Sequence, residues 1–139
     1  MPIDNEIYNR EAQRWWNDDS PMATLRSMLN PGRFGYFRKL ITEELKLEPG
    51  SLKVLDIGCG GGFLAEEFAG LGCKVTGLDP AADLLEAARA HARNRGLTID
   101  YVHGSGEQLP FEDAAFDLVY CCDVLEHVSD LDKVIAETA

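Results

Sequence analysis

Apolar and polar positions alternate in two different ways along the chain. From residue 53 onward, short apolar runs are separated by amphipathic stretches. "KVLDI" (53–57), "KVTGLD" (74–79), "TIDYVHG" (98–104) and "FDLVYCC" (116–122) read as strands. Between them, "FLAEEFAGLG" predicts a helix that stops at its glycines. "AADLLEAARAHARNRG" predicts another, with Leu84, Leu85 and Ala88 on one face and Gly96 as its stop. "VLEHV" reads as a helical turn, and "SDLDKVIAETA" opens a further helix capped by Ser129 or Asp130. Residues 1–50 lack this alternation. They predict helices near 5–16, 21–29 and 33–46, with breaks at Ser20-Pro21, Asn30-Pro31-Gly32 and Pro49-Gly50.

Strands alternating with helices imply βαβ units, a parallel sheet and right-handed crossovers. The expected fold is α/β, a Rossmann-like doubly wound sheet over residues 51–139, preceded by a helical lid over residues 1–50. Such a sheet binds its ligand at the carboxyl ends of the strands. The unusual polar segments fall at those ends: Gly58–Gly62, Asp79, Gly104–Glu107 and Cys122–His127.

Composition narrows the partners. A length of 139 residues sets one domain. The net charge of -11 repels phosphate backbones and anionic lipid alike, so nucleic acid is not an expected partner. The acidic excess lies wholly after Lys53. The N-terminus has no apolar signal segment, and no window is long and apolar enough to span a bilayer. Cys59, Cys73, Cys121 and Cys122 form no C-x-x-C pair and read as cytosolic thiols, with Cys121 and Cys122 on opposite faces of a strand. A cytoplasmic location follows as the expectation, with room for peripheral contact at the inner face of a membrane. The oligomeric state is not written in the sequence.

The glycine loop is the first chemical signal. A dinucleotide loop is spaced G-x-G-x-x-G. Here Gly58, Gly60 and Gly62 alternate, and Phe63 takes the place of a third dinucleotide-loop glycine. Asp56, two residues before Gly58, is badly placed for a pyrophosphate but suits a ligand with a positive end, an amino acid or a sulfonium. Asp79, at the end of the second strand, can accept from both hydroxyls of a ribose. Its alternative role is to cap the helix that follows.

The combined pattern, D-x-G-x-G-x-G followed by an acid at the next strand end, resembles the class I S-adenosylmethionine-dependent methyltransferases. "GEQLPFEDAAFDLV" is similar to the segment after their third strand, where many members carry Asp at the position of Ser105. With "RWW" (14–16), "NPGRFGYF" (30–37), "DYVHG" and "DVLEHV", the chain resembles the ubiquinone-biosynthesis O-methyltransferases, which methylate phenolic hydroxyls of polyprenylated quinone precursors. That resemblance implies a cofactor site of Arg33, Asp56, Gly58, Gly60, Gly62, Asp79, Ser105, Gly106 and Cys122. Arg33 would take the cofactor's carboxylate, and Cys122 would lie beside its adenine. Trp15 and Trp16 are expected in core or lid packing, with contact to an apolar substrate tail as the alternative.

"DVLEH" raises two catalytic options. Asp123, Glu126 and His127 stand at i, i+3 and i+4, so one helical face could offer all three to Mg²⁺ or another divalent cation. A metal there would favour the phenolate of a catechol-like acceptor. Without metal, His127 is the candidate general base, with Glu126 beside it. Neither Cys59 nor Cys121 has a neighbouring base in sequence, so no nucleophile is assigned. Three functions follow: a quinone-pathway O-methyltransferase working by in-line transfer; a related enzyme methylating oxygen or carbon of another small acceptor; or a cofactor-binding fragment without activity of its own. The resemblance implies seven strands, so strands five to seven are expected to lie outside this sequence. Weak cofactor binding and poor turnover are expected of the chain alone.

Overall fold

The computed structural model describes residues 4–139. In chain order its elements are α1 (Glu6–Glu11), α2 (Asn30–Lys39), β1 (Lys53–Ile57), α3 (Phe63–Leu71), β2 (Lys74–Asp79), α4 (Ala82–Asn94), β3 (Ile99–His103), β4 (Leu118–Cys121) and α5 (Leu131–Thr138). The four strands are all parallel, in the order β3-β2-β1-β4. β1 is therefore central, and Val54, Leu55 and Ile57 are buried from both sides. Burial on two faces is why its sequence is an apolar run rather than an alternation. Each such side chain contributes roughly 1.5–3 kcal/mol by leaving water.

Successive strand residues feed two separate cores. Val54 and Tyr120 join Leu64, Phe68, Leu85 and Ala88 on the face covered by α3 and α4, where Phe34 and Phe37 of α2 also pack. Leu55, Ile57 and Leu78 face the other way, against Leu109, Phe111, Phe116 and Val124. Cys122 packs on the first core and Cys121 on the second, the opposition that neighbouring strand residues must show. α5, capped by the Asp130 carboxylate at the Lys133 N–H, brings Val134 over Ile57 and Gly106 on the second face. Helices thus lie on both faces, as a doubly wound layout requires. β4 is an edge strand, paired only with β1 among the described residues.

The N-terminal helices differ from the expectation. α1 gives way to a 3₁₀ turn at Ala12–Arg14 instead of running to residue 16. The expected break at Asn30-Pro31-Gly32 does not occur: α2 runs through it, flanked by wide π turns at Leu25–Leu29 and Leu40–Glu44. Pro31 lacks an N–H, and its ring crowds the carbonyl four residues earlier. The turn before it widens so that the Asn30 N–H donates to the Leu25 carbonyl, and the proline is absorbed without ending the helix. Two predicted helices are therefore one rod.

A buried carboxylate joins the two crossover helices. Glu66 of α3 has a side chain only 1% exposed, and it meets His91 Nδ1 of α4 at 2.6 Å and Arg95, just past the end of α4, at 3.6 Å. Burial raises the Glu66 pKa, and the His91 contact opposes that rise. Among the described residues, no helix is long and apolar enough to cross a membrane.

Candidate functional site

All four strands point their carboxyl ends at one cavity of about 470 Å³. Its floor begins at the glycine loop. The Leu78 carbonyl of β2 accepts from both Gly58 and Cys59 N–H, so the chain leaving β1 stays fastened to β2. Gly60, at a φ of +56°, turns its N–H onto Asp79 Oδ2 at 2.9 Å. Asp79 Oδ1 accepts from the Ala81 N–H at 2.8 Å, at the start of α4. The capping role and the loop contact therefore coexist in one carboxylate, which lines the cavity and is 8% exposed. Each of its oxygens keeps a second lone pair for a donor from a ligand.

Asp56 also lines the cavity, 4% exposed. Burial pushes its pKa up to about 8, and the nearby charge of Asp79 adds to the rise. Tyr120, its register partner on β4, softens that rise without completing a hydrogen bond of ordinary geometry. Burial raises the Asp79 pKa too, against the pull of its two backbone N–H donors. Cys59 sits behind the loop, where burial holds its thiol well above the ordinary value. It stays protonated and supplies no thiolate.

Glycines permit both a tight turn and close approach by a ligand, but part of the space beside these belongs to the protein itself. A Cβ on Gly61 would lie 1.9 Å from Trp15 Cδ1, and one on Gly62 would lie 2.3 Å from the Tyr101 hydroxyl. Gly62 caps α3 and does not line the cavity, a correction to its expected place. Trp15, 6% exposed, lies flat on the loop and lines the cavity as well. Trp16 donates its indole N–H to the Gly61 carbonyl at 2.9 Å and stacks on His91 at 3.5 Å. The two tryptophans thus clamp the N-terminal segment onto the loop.

Tyr8 of α1 completes the cover and was not singled out from the sequence. Its hydroxyl lies 3.2 Å from His127 Nε2, and its ring meets Trp15 edge-on. Tyr8, Ala12 and Trp15 stand at i, i+4 and i+7, a helical stripe that would have placed Tyr8 beside Trp15. Glu107, the last residue of the polar segment marked after the third strand, makes a contact that the sequence does not foretell. Its Oε1 accepts from the N–H groups of Ser129 and Asp130, tying the loop after β3 to the start of α5. Those partners are more than twenty residues away, so no local signal gives the contact. Ser105 accepts the Glu107 N–H on its hydroxyl, and Ser105, Gly106 and Cys122 all line the cavity.

The segment after β4 departs most from expectation. Asp123 has a φ of +57° and lies outside the short 3₁₀ turn Leu125–His127. Asp123, Glu126 and His127 therefore do not share a helical face. Asp123 turns to Arg33 of α2, Oδ2 to Nη2 at 2.6 Å. His127 faces Tyr8, and Glu126 is half-exposed, 3.8 Å from His127 Nε2 and not part of the cavity lining. Among the described residues, no group of three or more His, Cys, Asp or Glu side chains could hold a metal ion. The donor set does not fit the divalent cation that the sequence suggests.

Arg33, Asp56, Gly58, Gly60, Asp79, Asp123 and His127 line the one cavity together. Comparisons with known proteins place similarities along most of the chain. A family profile described as a methyltransferase domain matches residues 55–139. The ubiquinone biosynthesis O-methyltransferase of Methylocella silvestris is 42% identical over 94% of this chain and 55% of its own length. That of Xanthomonas axonopodis pv. citri is 43% identical over 92% of this chain and 51% of its own. The chain spans about half the length of the curated relatives it matches. Among solved structures, the YcgJ protein from Bacillus subtilis superposes with a TM-score of 0.69 at 29% identity, covering 77% of this chain and 44% of that one.

Proposed function

This chain belongs to the methyltransferase-domain family and is similar to the ubiquinone biosynthesis O-methyltransferases, and on that premise we propose that its cavity aligns S-adenosylmethionine with a phenolic hydroxyl of a polyprenyl quinone precursor. The observation that carries this reading is the continuity of the cavity. One space runs from the glycine loop and its two buried carboxylates to the imidazole of His127.

Each end of the cofactor has a matching group. Asp79 keeps acceptor capacity for the ribose hydroxyls, and Arg33 offers a guanidinium for the carboxylate. Asp56 lies where the positive end would meet a carboxyl group. Ser105, Gly106 and Cys122 supply the adenine wall. When bound, the cofactor supplies a methyl on a sulfonium, which needs no covalent enzyme intermediate.

The protein's own task is alignment and dryness. Trp15 and Trp16 hold the N-terminal segment as a lid over the loop. His127 stands at the acceptor end, where its ring can take the phenolic proton. In this structure Tyr8, itself a phenol, lies within hydrogen-bond distance of that ring, a geometry an acceptor hydroxyl would reproduce. No step is routed through a metal, because Asp123 pairs with Arg33 and Glu126 is not among the residues lining the cavity.

The test is transfer of a labelled methyl to a catechol. Transfer is expected to persist in EDTA and to fall about 10²-fold or more in His127→Ala, the range for removing a positioned base. Loss in EDTA that Mg²⁺ restores would replace the base by a metal. A second reading, a cofactor-binding unit without turnover, is favoured by β4, which pairs only with β1 among the described residues. Cofactor binding without label transfer would select it.

A further inference from the structure

The cavity lining holds many more acidic residues than basic ones. Glu6, Asp56, Asp79, Glu107 and Asp123 line it, while Arg33 is the only arginine or lysine among the described lining residues. A ligand that carries a carboxylate has one cation to find there, and that cation is already taken. Arg33 Nη2 lies 2.6 Å from Asp123 Oδ2, across the gap between α2 and the end of β4. Neither side chain is deeply buried, at 27% and 51% exposed.

Asp123 does not meet Arg33 by the wandering of a free loop. Its neighbour Val124 is seated on the glycine loop so closely that a Cβ on Gly58 would lie 2.3 Å from Val124 Cγ2. Val124 also packs into the core formed by Leu55, Ile57 and Leu78. Asp123 is held at a φ of +57° between this anchor and the end of β4. The carboxylate is therefore presented to Arg33 by rigid structure.

We propose that Asp123 is a built-in competitor for Arg33, holding the guanidinium while no ligand is bound and yielding it to the cofactor's carboxylate, so that Asp123 sets how tightly and how selectively that carboxylate is taken. This rests on the reading that the cavity binds S-adenosylmethionine through Arg33. An exchange of one carboxylate for another at a single guanidinium needs no net change in charge pairing. Asp123 released in this way keeps access to water, since its side chain is half-exposed.

Calorimetric titration separates the parts. S-Adenosylhomocysteine carries the amino-acid end, and 5′-methylthioadenosine lacks it. In Asp123→Asn, S-adenosylhomocysteine is expected to bind about 2- to 5-fold tighter, the range of a partly exposed ion pair. 5′-Methylthioadenosine should bind as it does to the wild type, which also shows that the variant's site is folded. In an Arg33→Gln background the Asp123→Asn effect should vanish. Unchanged or weaker S-adenosylhomocysteine binding in Asp123→Asn, or an equal shift for both ligands, overturns the competition while leaving the cofactor assignment in place. Failure of the folded wild type to bind either ligand removes the cofactor reading and the competition with it.

Discussion

Asp56→Asn isolates the energetic consequence of placing an acid behind the glycine loop. The Asp56 carboxyl is pushed from an ordinary 3.8 to about 8, chiefly by burial. The sign follows from linkage. Below pH 4 the group is neutral in folded and unfolded chains, and it costs nothing through ionisation. Between pH 4 and 8 the unfolded chain gives up the proton and the folded chain keeps it, so stability falls as pH rises. Above pH 8 both states are ionised, and the full penalty persists. Each pH unit inside the window is worth about 1.4 kcal/mol. At pH 7, roughly three units above the unfolded value, the penalty is on the order of 4 kcal/mol. Asparagine does not titrate, so the variant escapes this loss. It adds an offset independent of pH, from a buried amide that must find partners. The quantity to read is therefore the change in the stability difference with pH. Urea unfolding followed by circular dichroism at pH 5 and pH 7 should show Asp56→Asn gaining about 3 kcal/mol on the wild type across that interval. The titrations of Asp79 and Glu66 occur in both proteins and largely cancel. Parallel stability curves would refute the placement of a proton on Asp56 at neutral pH.

Three further perturbations probe the same site. Gly61→Ala should cost roughly 1–3 kcal/mol, because its methyl enters the indole of Trp15 at a backbone conformation that alanine itself tolerates; a shift in tryptophan emission with retained far-UV dichroism would show the lid displaced. Trp16→Phe should cost about 0.5–1.5 kcal/mol for the lost bond to the Gly61 carbonyl, and an unchanged urea midpoint would argue against the clamp. Binding a cation beside Asp56 favours its ionised form, so S-adenosylmethionine should release protons at pH 7, seen as a dependence of binding heat on the ionisation enthalpy of the buffer. Buffer-independent heat would contradict that coupling.

The strands were legible because their signal is local. The runs at 53–57 and 74–79 coincide with β1 and β2, and Leu84, Leu85 and Ala88 are buried on α4 as their spacing requires. What was misread depends on residues far apart in the chain. Pro31 looks like a helix end until a π turn before it absorbs the missing N–H. Asp123 looks like a helical partner of Glu126 and His127. Its positive φ comes instead from a segment anchored where Val124 packs against Gly58, a contact across more than sixty residues. The glycines permit a tight turn and close approach by a ligand, but nothing local shows that Trp15 and Tyr101 occupy the space beside Gly61 and Gly62. In each case the deciding contact or backbone turn lies outside what the local pattern carries.

The central claim is that the loop at Gly58, with Asp79 and Arg33, holds S-adenosylmethionine. Calorimetric titration of the chain with S-adenosylmethionine tests it most directly. Saturable binding of one molecule per chain, weakened in Asp79→Asn, is expected. No heat of binding from a chain whose circular dichroism shows it folded would contradict it.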